Sequence, residues 1–445
     1  MSHSNTFKKL LTKQWLSSAQ ILSALSHLSH LIYLKNVKQP VIAFFPSQYM
    51  LRQANQNQNF KRISLNQYQE TDQAIQFNDF FNHTTSKHTE GFNGGLMGFV
   101  SYDHAAQQQV TITAKPQPSL FLGIYHSYLK RTEQGWTFFS DDDEAETIFQ
   151  VIQTALQDQK KPTFLLTQPC HARWSQTEYV HAFQQVQDYI KAGDCYQINL
   201  TQEFTAKAQG ALLDIAEDFW KLTNAPYSGY LKIADFELLS CSPELFIDFE
   251  DHRKIVTRPI KGTMPRYEDP QQDEQSKQKL IDSKKDQAEN VMIVDLLRND
   301  LSVYAEIGSV KTPQLFQIES FNQVHHMVSE VTATLKQQVN PFEVLMSALP
   351  GGSITGAPKI RAMQIIDELE GAPRGAYCGS LGYFNFDGTG SWNILIRSIQ
   401  KYQEDVSLWA GGGITIASDC DAEYQECFDK VSAMLDLLNT WQKPS

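Results

Sequence analysis

Two pairs of carboxylates with helical spacing are the residues most suited to chemistry. Asp286 and Glu289 lie three positions apart, and so do Glu423 and Glu426, so each pair shares one face of a helix. Carboxylate oxygens are the ligands that hard divalent cations prefer. A single pair of this kind is usually solvated surface. The two together predict a cation site if the fold brings their helices side by side.

A lysine and a glutamate in apolar surroundings could supply the reactive groups. Lys261 lies between an isoleucine and a glycine, two residues past Pro259, which restricts the backbone and holds the amine in place. Glu244 follows Pro243 between apolar runs, where burial would favour the protonated carboxyl. An exposed turn lysine and a strand-edge carboxylate are the alternative interpretations of these two residues.

Glycine-rich segments and one arginine form candidate anion sites. Residues 351–359 read GGSITGAPK and precede a helix whose first amides can face an anion. The segment is not a P-loop, because its lysine follows the proline and no Ser or Thr follows the lysine, so a carboxylate suits it at least as well as a phosphate. Arg397 is predicted in a strand over residues 393–399, on an apolar face where it needs an anionic partner. The glycines of 411–413 offer further amides.

Short strands and a few long helices are expected to position these residues. Residues 1 to about 157 alternate apolar runs with polar stretches and predict strands with loops, followed by a linker near 157–168. Alternation predicts a strand at 194–200. Helical spacing predicts four helices, at residues 174–190, 283–301, 359–371 and 423–438.

The composition is that of a soluble globular enzyme and excludes several classes of protein. The 445 residues are 41% hydrophobic and 20% charged, with a net charge of −12 and no basic run longer than a lysine pair, which argues against nucleic acid as a partner. The six cysteines lack metal-ligand spacing and predict reduced thiols in the cytoplasm. Neither a signal peptide nor a membrane span of about 18 apolar residues is expected.

Seven segments, in order along the chain, resemble the chorismate-utilising enzymes. They are residues 242–244 (SPE), 286–290 (DQAEN), 294–300 (VDLLRND), 324–329 (VHHMVS), 351–359, 410–414 (AGGGI) and 422–426 (AEYQE). The resemblance implies an α/β (α+β) fold in which two large, mostly antiparallel β-sheets pack as a sandwich with helices outside. It also implies a chorismate-binding catalytic domain over residues 174–438, with residues 1–157 contributing strands to the same sandwich.

Two positions distinguish the members of this family. Anthranilate synthases carry alanine where this chain has Lys261, whereas Pro-Ile-Lys-Gly-Thr resembles the large components of aminodeoxychorismate synthases. Isochorismate and salicylate synthases use a lysine to activate water where this chain has Gln197, so water is not the expected nucleophile. An anthranilate synthase component and a non-catalytic regulatory homologue are the alternatives. Lys261 disfavours the first, and the intact set of site residues disfavours the second.

The resemblance implies covalent catalysis in the synthesis of 4-aminobenzoate, a folate precursor. The Lys261 amine attacks C2 of chorismate while the C4 hydroxyl departs, and Glu244 protonates the leaving oxygen. Ammonia then adds at C4 and expels the lysine, giving 4-amino-4-deoxychorismate, so that one difficult step is divided into two. The lysine has to be neutral when it attacks, and its site is expected to favour that form.

The resemblance also implies a set of ligands for a cation and for the substrate. Mg²⁺ would be bound directly or through water by Glu289 and Glu423, with Asp286 and Glu426 beside them. The residues implied in substrate binding are Gln197, Thr263, His326, Thr355, Gly356, Ala357, Tyr377, Arg397, Gly412 and Gly413. A purely structural role is the alternative for the histidine.

A separate partner is expected to supply the ammonia. None of the cysteines lies in the glycine-rich elbow of a glutamine amidotransferase, so a glutaminase subunit, or ammonia from solution, is implied. Relatives often bind tryptophan at a Leu-Leu-x-Ser stretch. The corresponding run here, Phe44-Phe45-Pro46-Ser47, keeps the serine but replaces both leucines, which leaves bound tryptophan an open prediction.

Overall fold

Antiparallel strands make up most of the secondary structure. The computed structural model describes residues 6–37, 39–77, 90–157, 161–320 and 324–442. The strands are β1 (Phe7–Leu10), β2 (Ile32–Leu34), β3 (Val41–Ala43), β4 (Gln48–Gln53), β5 (Gln56–Ser64), β6 (Gln67–Thr71), β7 (Gly95–Val100), β8 (Leu120–Tyr125), β9 (Ser127–Thr132), β10 (Gly135–Ser140), β11 (Leu165–Ala172), β12 (Gln197–Gln209), β13 (Tyr227–Ile233), β14 (Phe236–Ser242), β15 (Leu245–Phe249), β16 (Lys254–Thr257), β17 (Ile260–Pro265), β18 (Lys311–Ser320), β19 (Val324–Thr334), β20 (Gly356–Ala357), β21 (Ser380–Asn385), β22 (Gly390–Asn393), β23 (Ser398–Tyr402) and β24 (Asp405–Ile414).

Helices lie between groups of strands along the chain. The α-helices in the described ranges are α1 (Ser18–Leu25), α2 (Tyr102–Gln107), α3 (Ala145–Ala155), α4 (Gln176–Ala192), α5 (Ala216–Thr223), α6 (Pro270–Asp282), α7 (Lys284–Ser302), α8 (Pro341–Ala348), α9 (Lys359–Glu370), α10 (Cys420–Asp429) and α11 (Ser432–Asn439). None of the helices that the structure describes is both long enough and apolar enough to cross a membrane.

The strands form two antiparallel sheets. The first has the order β1-β10-β9-β3-β2-β13-β14-β23-β24-β12-β11, with β20 paired to β12. The second has the order β17-β19-β16-β15-β22-β21-β7-β8-β4-β5-β6, with β18 paired to β19. Strands that precede residue 157 lie in both sheets. The predicted α/β fold with two large antiparallel sheets is confirmed; part of the predicted linker, residues 158–160, lies outside the described residues.

One hydrophobic cluster lies between the sheets and joins them. It contains side chains of β2, β13 and β14 from the first sheet and of β7, β8 and β21 from the second. Phe99 on β7 and Phe236 on β14 meet there, with ring centroids 5.4 Å apart. Helices cover the outer faces, where α1, α3, α5 and α11 pack on the first sheet.

The predicted helices are mostly confirmed, and their ends follow from local chemistry. Ser175 caps α4 through a capping box, and Gly193 ends it in the left-handed conformation. Ser283 caps α7 by accepting the Asp286 amide, and Gly371 ends α9 with φ 62°. The predicted strand at 194–200 is the beginning of the longer strand β12.

The prediction of a single helix over residues 423–438 was wrong. The chain breaks at Val431, where φ is −131°, and two helices result. The two halves of the apolar stripe pack in different places: Cys427 of α10 contacts the cluster under α4 and α9, whereas Met434 and Leu438 of α11 contact the outer core of the first sheet. One straight helix could not reach both.

The segment predicted to correspond to a tryptophan site is part of the hydrophobic core. Phe44 and Phe45 are buried, with ring centroids 5.8 Å apart, and Phe44 lies 6.4 Å from Phe138. The Ser47 hydroxyl donates to the Ile124 carbonyl at 3.3 Å. The two phenylalanine rings pack in the hydrophobic core, and bound tryptophan remains a prediction.

Candidate active site

Glu244 lies where the chain crosses from one sheet to the other. It follows β14 of the first sheet and precedes β15 of the second. A second crossing, from β22 to β23, runs beside it: the Ile394 amide donates to the Glu244 carbonyl at 3.2 Å, and the Ser242 hydroxyl donates to the Ile394 carbonyl at 2.5 Å. The two crossings therefore hold each other in place.

The prediction of a continuous strand through Arg397 was wrong. β22 ends at Asn393 and β23 begins at Ser398, and Arg397 takes φ 49° because the chain turns between the sheets there. Its guanidinium lines a cleft that also contains Pro243 and His326. Burial lowers the pKa of Arg397, although Glu244 opposes the shift. A half-buried guanidinium facing a cleft is suited to bind an anion.

The Glu244 carboxyl is buried, and its pKa lies close to neutral pH. Its Oε1 lies 3.4 Å from the Ile260 amide. Burial raises the pKa of Glu244 to about 7, against the opposing effects of Lys261 and the Ile260 amide. At neutral pH a large fraction of the carboxyl is therefore protonated, which is the state that a general acid requires.

Lys261 lies on β17 at an irregularity of the sheet. The register of β17 against β19 shifts between Ile260 and Thr263, a bulge that redirects the intervening side chains. The amine donates to the Ser353 carbonyl at 3.3 Å. Its charge also acts on three carboxylates around it, those of Glu244, Glu289 and Glu426.

The residue after the lysine has to be glycine. Gly262 has φ 82°, which favours glycine, and a Cβ there would lie 2.8 Å from Cγ of Asp286 on α7. This close approach brings the lysine strand against the helix that carries Asp286 and Glu289. In the sequence Ile-Lys-Gly, the lysine therefore supplies the amine, and the glycine allows close contact with the helix that carries Asp286 and Glu289.

One lysine lies near a carboxylate from each of the two pairs. The amine of Lys285 on α7 lies 3.2 Å from Oε1 of Glu423 on α10 and 4.0 Å from Oε1 of Glu289. Burial raises the pKa of Glu289. Burial acts to raise the pKa of Glu426, but Lys430, 2.6 Å away, together with Lys285 and Lys261, leaves that pKa lowered.

The carboxylates leave two oxygens that suit a cation. Glu289 Oε1 and Glu423 Oε2 are buried and accept no hydrogen bond. Across the described ranges, no three His, Cys, Asp or Glu side chains converge closely enough to hold a metal ion by themselves. An all-oxygen donor set with two unsatisfied oxygens fits Mg²⁺, provided that water or substrate completes the shell.

The strands β20, β12 and β24 bring together residues that were predicted to bind the substrate. Gly356 and Ala357 of β20 pair with Ile198 and Gln197 of β12. On the other side of β12, Asn199 and Leu200 lie opposite Gly413 and Gly412 of β24. The Thr355 hydroxyl donates to the Gly351 carbonyl at 3.0 Å.

The glycines of β24 make room for side chains of the site. A Cβ at Gly413 would lie 2.0 Å from Nε2 of Gln197, whose side-chain amide is buried without a hydrogen-bond partner in the structure. A Cβ at Gly412 would lie 2.9 Å from Glu423 Oε2 and 3.0 Å from Glu426 Oε1. Substituting either glycine would push these groups out of place.

Of the remaining predicted residues, His326 lines the cleft beside Arg397, whereas Tyr377 lies in a hydrophobic core cluster. The Thr263 hydroxyl and Nδ1 of His326 are 2.8 Å apart, and burial lowers the pKa of His326 to about 4, so the imidazole is neutral. Tyr377 is buried and stacks on Trp409 with ring centroids 5.9 Å apart. Burial raises the pKa of Tyr377 well above its ordinary value and keeps the phenol protonated.

Sequence reasoning missed the lysines that neutralise the carboxylates. Lys285 lies four residues before Glu289, and Lys430 lies four residues after Glu426. Helical i,i+4 spacing between opposite charges was the available signal. It did not show that Lys285 reaches across to a second helix.

Comparison with known protein families identifies the family of this chain. The sequence pattern of the chorismate binding enzymes matches residues 29–436. The chain belongs to the chorismate-binding enzyme family. It is 44% identical to aminodeoxychorismate synthase component 1 of Klebsiella aerogenes, over 78% of both chains. The corresponding component of Escherichia coli K12 is 41% identical, over 78% of this chain and 77% of that one.

Other members of the chorismate-binding family are more distant. Anthranilate synthase component 1 of Bacillus subtilis is 33% identical over 76% of this chain and 65% of its own. Among solved structures, anthranilate synthase component I of Streptococcus pneumoniae matches with a TM-score of 0.77 at 25% identity, covering 89% of this chain and 92% of that one. The menaquinone-specific isochorismate synthase of Escherichia coli shares the fold, with a TM-score of 0.73 at 18% identity and coverage of 98% and 94%.

Proposed function

We propose that this chain is the large component of an aminodeoxychorismate synthase, which converts chorismate and ammonia into 4-amino-4-deoxychorismate. The observation that carries the proposal is the amine of Lys261, placed by a sheet bulge beside the buried carboxyl of Glu244 and the carboxylates of Glu289 and Glu426. The identity to aminodeoxychorismate synthase components, higher than to the anthranilate synthase component of Bacillus subtilis, supports the same assignment.

The proposed reaction uses Lys261 as the nucleophile and Glu244 as the general acid. The neutral Lys261 amine forms a bond to C2 of chorismate, the two conjugated double bonds of the ring each shift by one position, and the C4–O bond breaks. Glu244 gives its proton to the departing oxygen, which leaves as water. Ammonia then bonds to C4, both double bonds return, and the C2–N bond breaks to release the neutral lysine amine. The new ammonium group on C4 returns a proton to the Glu244 carboxylate. The pKa of Glu244 near 7 supports the protonated starting state.

Anion-binding groups around the cleft are proposed to orient the substrate. Arg397 and the amides near Gly356 and Gly412 would hold the enolpyruvyl carboxylate, with Tyr377 beside them. His326, neutral because burial lowers its pKa to about 4, would lie near the ring without adding charge. Thr263, Thr355, Ala357, Gly413 and Gln197 complete the proposed substrate-binding set.

Mg²⁺ is the proposed cation, held by Glu289 and Glu423 with Asp286 and Glu426 beside them. The unsatisfied oxygens of the first two support this placement. A bound Mg²⁺ would neutralise a carboxylate on the substrate ring. Because the Lys285 amine lies 3.2 Å from the other oxygen of Glu423 and 4.0 Å from Glu289, its positive charge opposes binding of the cation.

Replacing Lys285 is therefore expected to strengthen binding of Mg²⁺. Lys285→Met removes both the competing charge and its repulsion of the dication, and we expect the dissociation constant for Mg²⁺ to fall by about five- to tenfold. Isothermal calorimetry at pH 8 measures this directly. Lys284→Met is the matched control, because its amine contacts only Gln287 on the surface of the same helix. An unchanged or weaker affinity in Lys285→Met would exclude the competition.

A separate glutaminase subunit is the proposed source of ammonia. The relatives are each named component 1 of an aminodeoxychorismate synthase, which supports a heteromeric partner. The six cysteines are free thiols, which supports a reducing, cytoplasmic location. We expect the purified chain to turn over chorismate with ammonium ions but not with glutamine, until a glutaminase subunit is added. Glutamine-dependent turnover by the chain alone would contradict this.

Product identity tests the proposed function as a whole. The purified chain is incubated with chorismate, Mg²⁺ and excess ammonium at pH about 8.5, where a useful fraction of the ammonium is neutral ammonia, and the product is identified by mass. Aminodeoxychorismate is the expected product. Anthranilate would identify an anthranilate synthase component, and no reaction with chorismate would support a non-catalytic homologue.

A further inference from the structure

Arg374 is a fully buried arginine beyond the end of α9 that none of the proposed chemistry uses. Its guanidinium forms a two-pronged ion pair with Glu370: Nε donates to Oε2 at 2.8 Å and Nη2 donates to Oε1 at 2.7 Å. The side chains are 1% and 0% exposed. A buried ion pair is stable only when its remaining polar groups also find partners, so the other contacts of the guanidinium are informative.

The remaining donors reach two backbone carbonyls of the candidate site. Nη1 donates to the Ile354 carbonyl at 2.9 Å, and Nη2 donates to the Asn199 carbonyl at 2.7 Å. Ile354 precedes Thr355 in the glycine-rich loop, and Asn199 lies two residues after Gln197 on β12. One guanidinium therefore joins the loop to the strand on which the site is built.

Glu370, the other member of the ion pair, also forms hydrogen bonds to β12. Oε1 of Glu370 accepts the amide of Thr201 at 2.9 Å and its hydroxyl at 2.6 Å. Asn199 reinforces the link, because its amide donates to the Thr355 carbonyl at 2.8 Å and its side chain donates to the Ile354 carbonyl at 3.1 Å. The carbonyls of Ile354 and Thr355 are thus directed towards β12 and the guanidinium.

Aromatic rings complete the surroundings of the guanidinium. It lies 5.7 Å from the ring of Tyr377, one of the predicted substrate-binding residues, and 4.8 Å from the ring of Tyr102 on α2. The Asp103 carboxylate, next to Tyr102, accepts the Gly375 amide at 3.0 Å. The N-terminal part of the chain therefore helps to fix the position of Arg374.

We infer that Arg374 is a positioning residue for the carboxylate site of the substrate, a role that rests on the proposed function. It acts through the loop at Thr355 and Gly356 and through Tyr377, without contacting the substrate. By holding the Ile354 and Asn199 carbonyls towards the protein interior, it keeps their negative ends away from a bound carboxylate and fixes the position of Thr355 and Gly356. Loss of the guanidinium frees these carbonyls to reorient, which weakens binding of an anion more than it slows the chemistry at Lys261 and Glu244.

Substitution of Arg374 tests the inference in the full-length chain. For Arg374→Met we expect the dissociation constant for chorismate, measured by calorimetry with Mg²⁺ and without ammonia, to rise by about tenfold or more, with KM rising in parallel. The turnover number kcat should fall by less than about threefold. Arg374→Lys keeps the charge and should restore part of the affinity.

Arg62→Met is the matched control. Arg62, on β5, forms a partly buried ion pair with Asp142 and donates to the Phe45 carbonyl at 2.8 Å, in segments that carry none of the proposed catalytic or chorismate-binding residues. Its loss is expected to lower the thermal unfolding temperature without changing the dissociation constant for chorismate. If Arg374→Met does not fold, Glu370→Gln and Arg374→Lys report on the same contacts, and both should weaken chorismate binding.

The outcomes distinguish this inference from the proposed function. Folded Arg374 variants that bind chorismate as tightly as the wild type would overturn it, and so would an equal loss of affinity in Arg62→Met. Loss of kcat at unchanged KM would also contradict a positioning role. A wild-type chain that does not bind chorismate would instead contradict the proposed function.

Discussion

Lys261→Ala is expected to reduce formation of aminodeoxychorismate by at least about a thousandfold, because removal of the nucleophile abolishes the covalent route. Any remaining turnover should shift towards anthranilate, since direct addition of ammonia at C2 no longer competes with the lysine. Steady-state kinetics with product identification by mass measures both effects. The variant should bind chorismate, because the anion-binding groups around Arg397 are unchanged.

Lys261→Arg separates the nucleophile from its charge. Arginine keeps a cation beside Glu244, Glu289 and Glu426, so the ionisation of these carboxylates should change little, but the guanidinium remains protonated and cannot attack C2. We therefore expect it to be as inactive as Lys261→Ala. An active Lys261→Arg enzyme would show that the lysine acts through its charge and not as a nucleophile.

Glu244→Gln is expected to lower kcat by about 10²- to 10⁴-fold, the usual contribution of a general acid. The wild-type enzyme should also lose kcat/KM as the pH rises through about 7, because Glu244 then gives up the proton that it has to donate. Glu244→Gln should lack this decline. A pH series of kcat/KM for both enzymes measures the difference.

Glu237→Gln is the control for that pH series. Glu237 is a buried carboxylate on β14, the strand that leads to Glu244, and it accepts the Tyr230 hydroxyl at 2.6 Å. Its substitution should leave the decline above pH 7 in place. If Glu244→Gln keeps the decline as well, another group is responsible and Glu244 is not the general acid.

Local patterns predicted the elements of this protein well where one element packs in one environment. Apolar spacing and capping residues identified α4, α7 and α9, because Ser175, Ser283 and the glycines at 193 and 371 act on their own helices. The same reasoning failed at 423–438 and at 393–399. In both, the chain changes its packing partner midway, which a periodic pattern cannot show.

The resemblance indicated which residues to expect at the candidate site, but it did not indicate how their charges interact. The resemblance pointed to Lys261, Glu244 and the carboxylate pairs, and the structure places the lysine within electrostatic reach of Glu289 and Glu426. The bridge from Lys285 to Glu423 was not predictable, because the partners are 138 positions apart. Contacts of this kind depend on tertiary structure and leave no local signal.

The most direct test of the central claim is a search for the covalent bond to Lys261. The wild-type chain is mixed with chorismate and Mg²⁺ without ammonia, and the intact protein is examined by mass spectrometry and peptide mapping. The account predicts an added mass of chorismate minus water on Lys261, which disappears when ammonium is supplied and product forms. Product formation on adding ammonium, with no adduct detected beforehand or with the adduct on another residue, would contradict it.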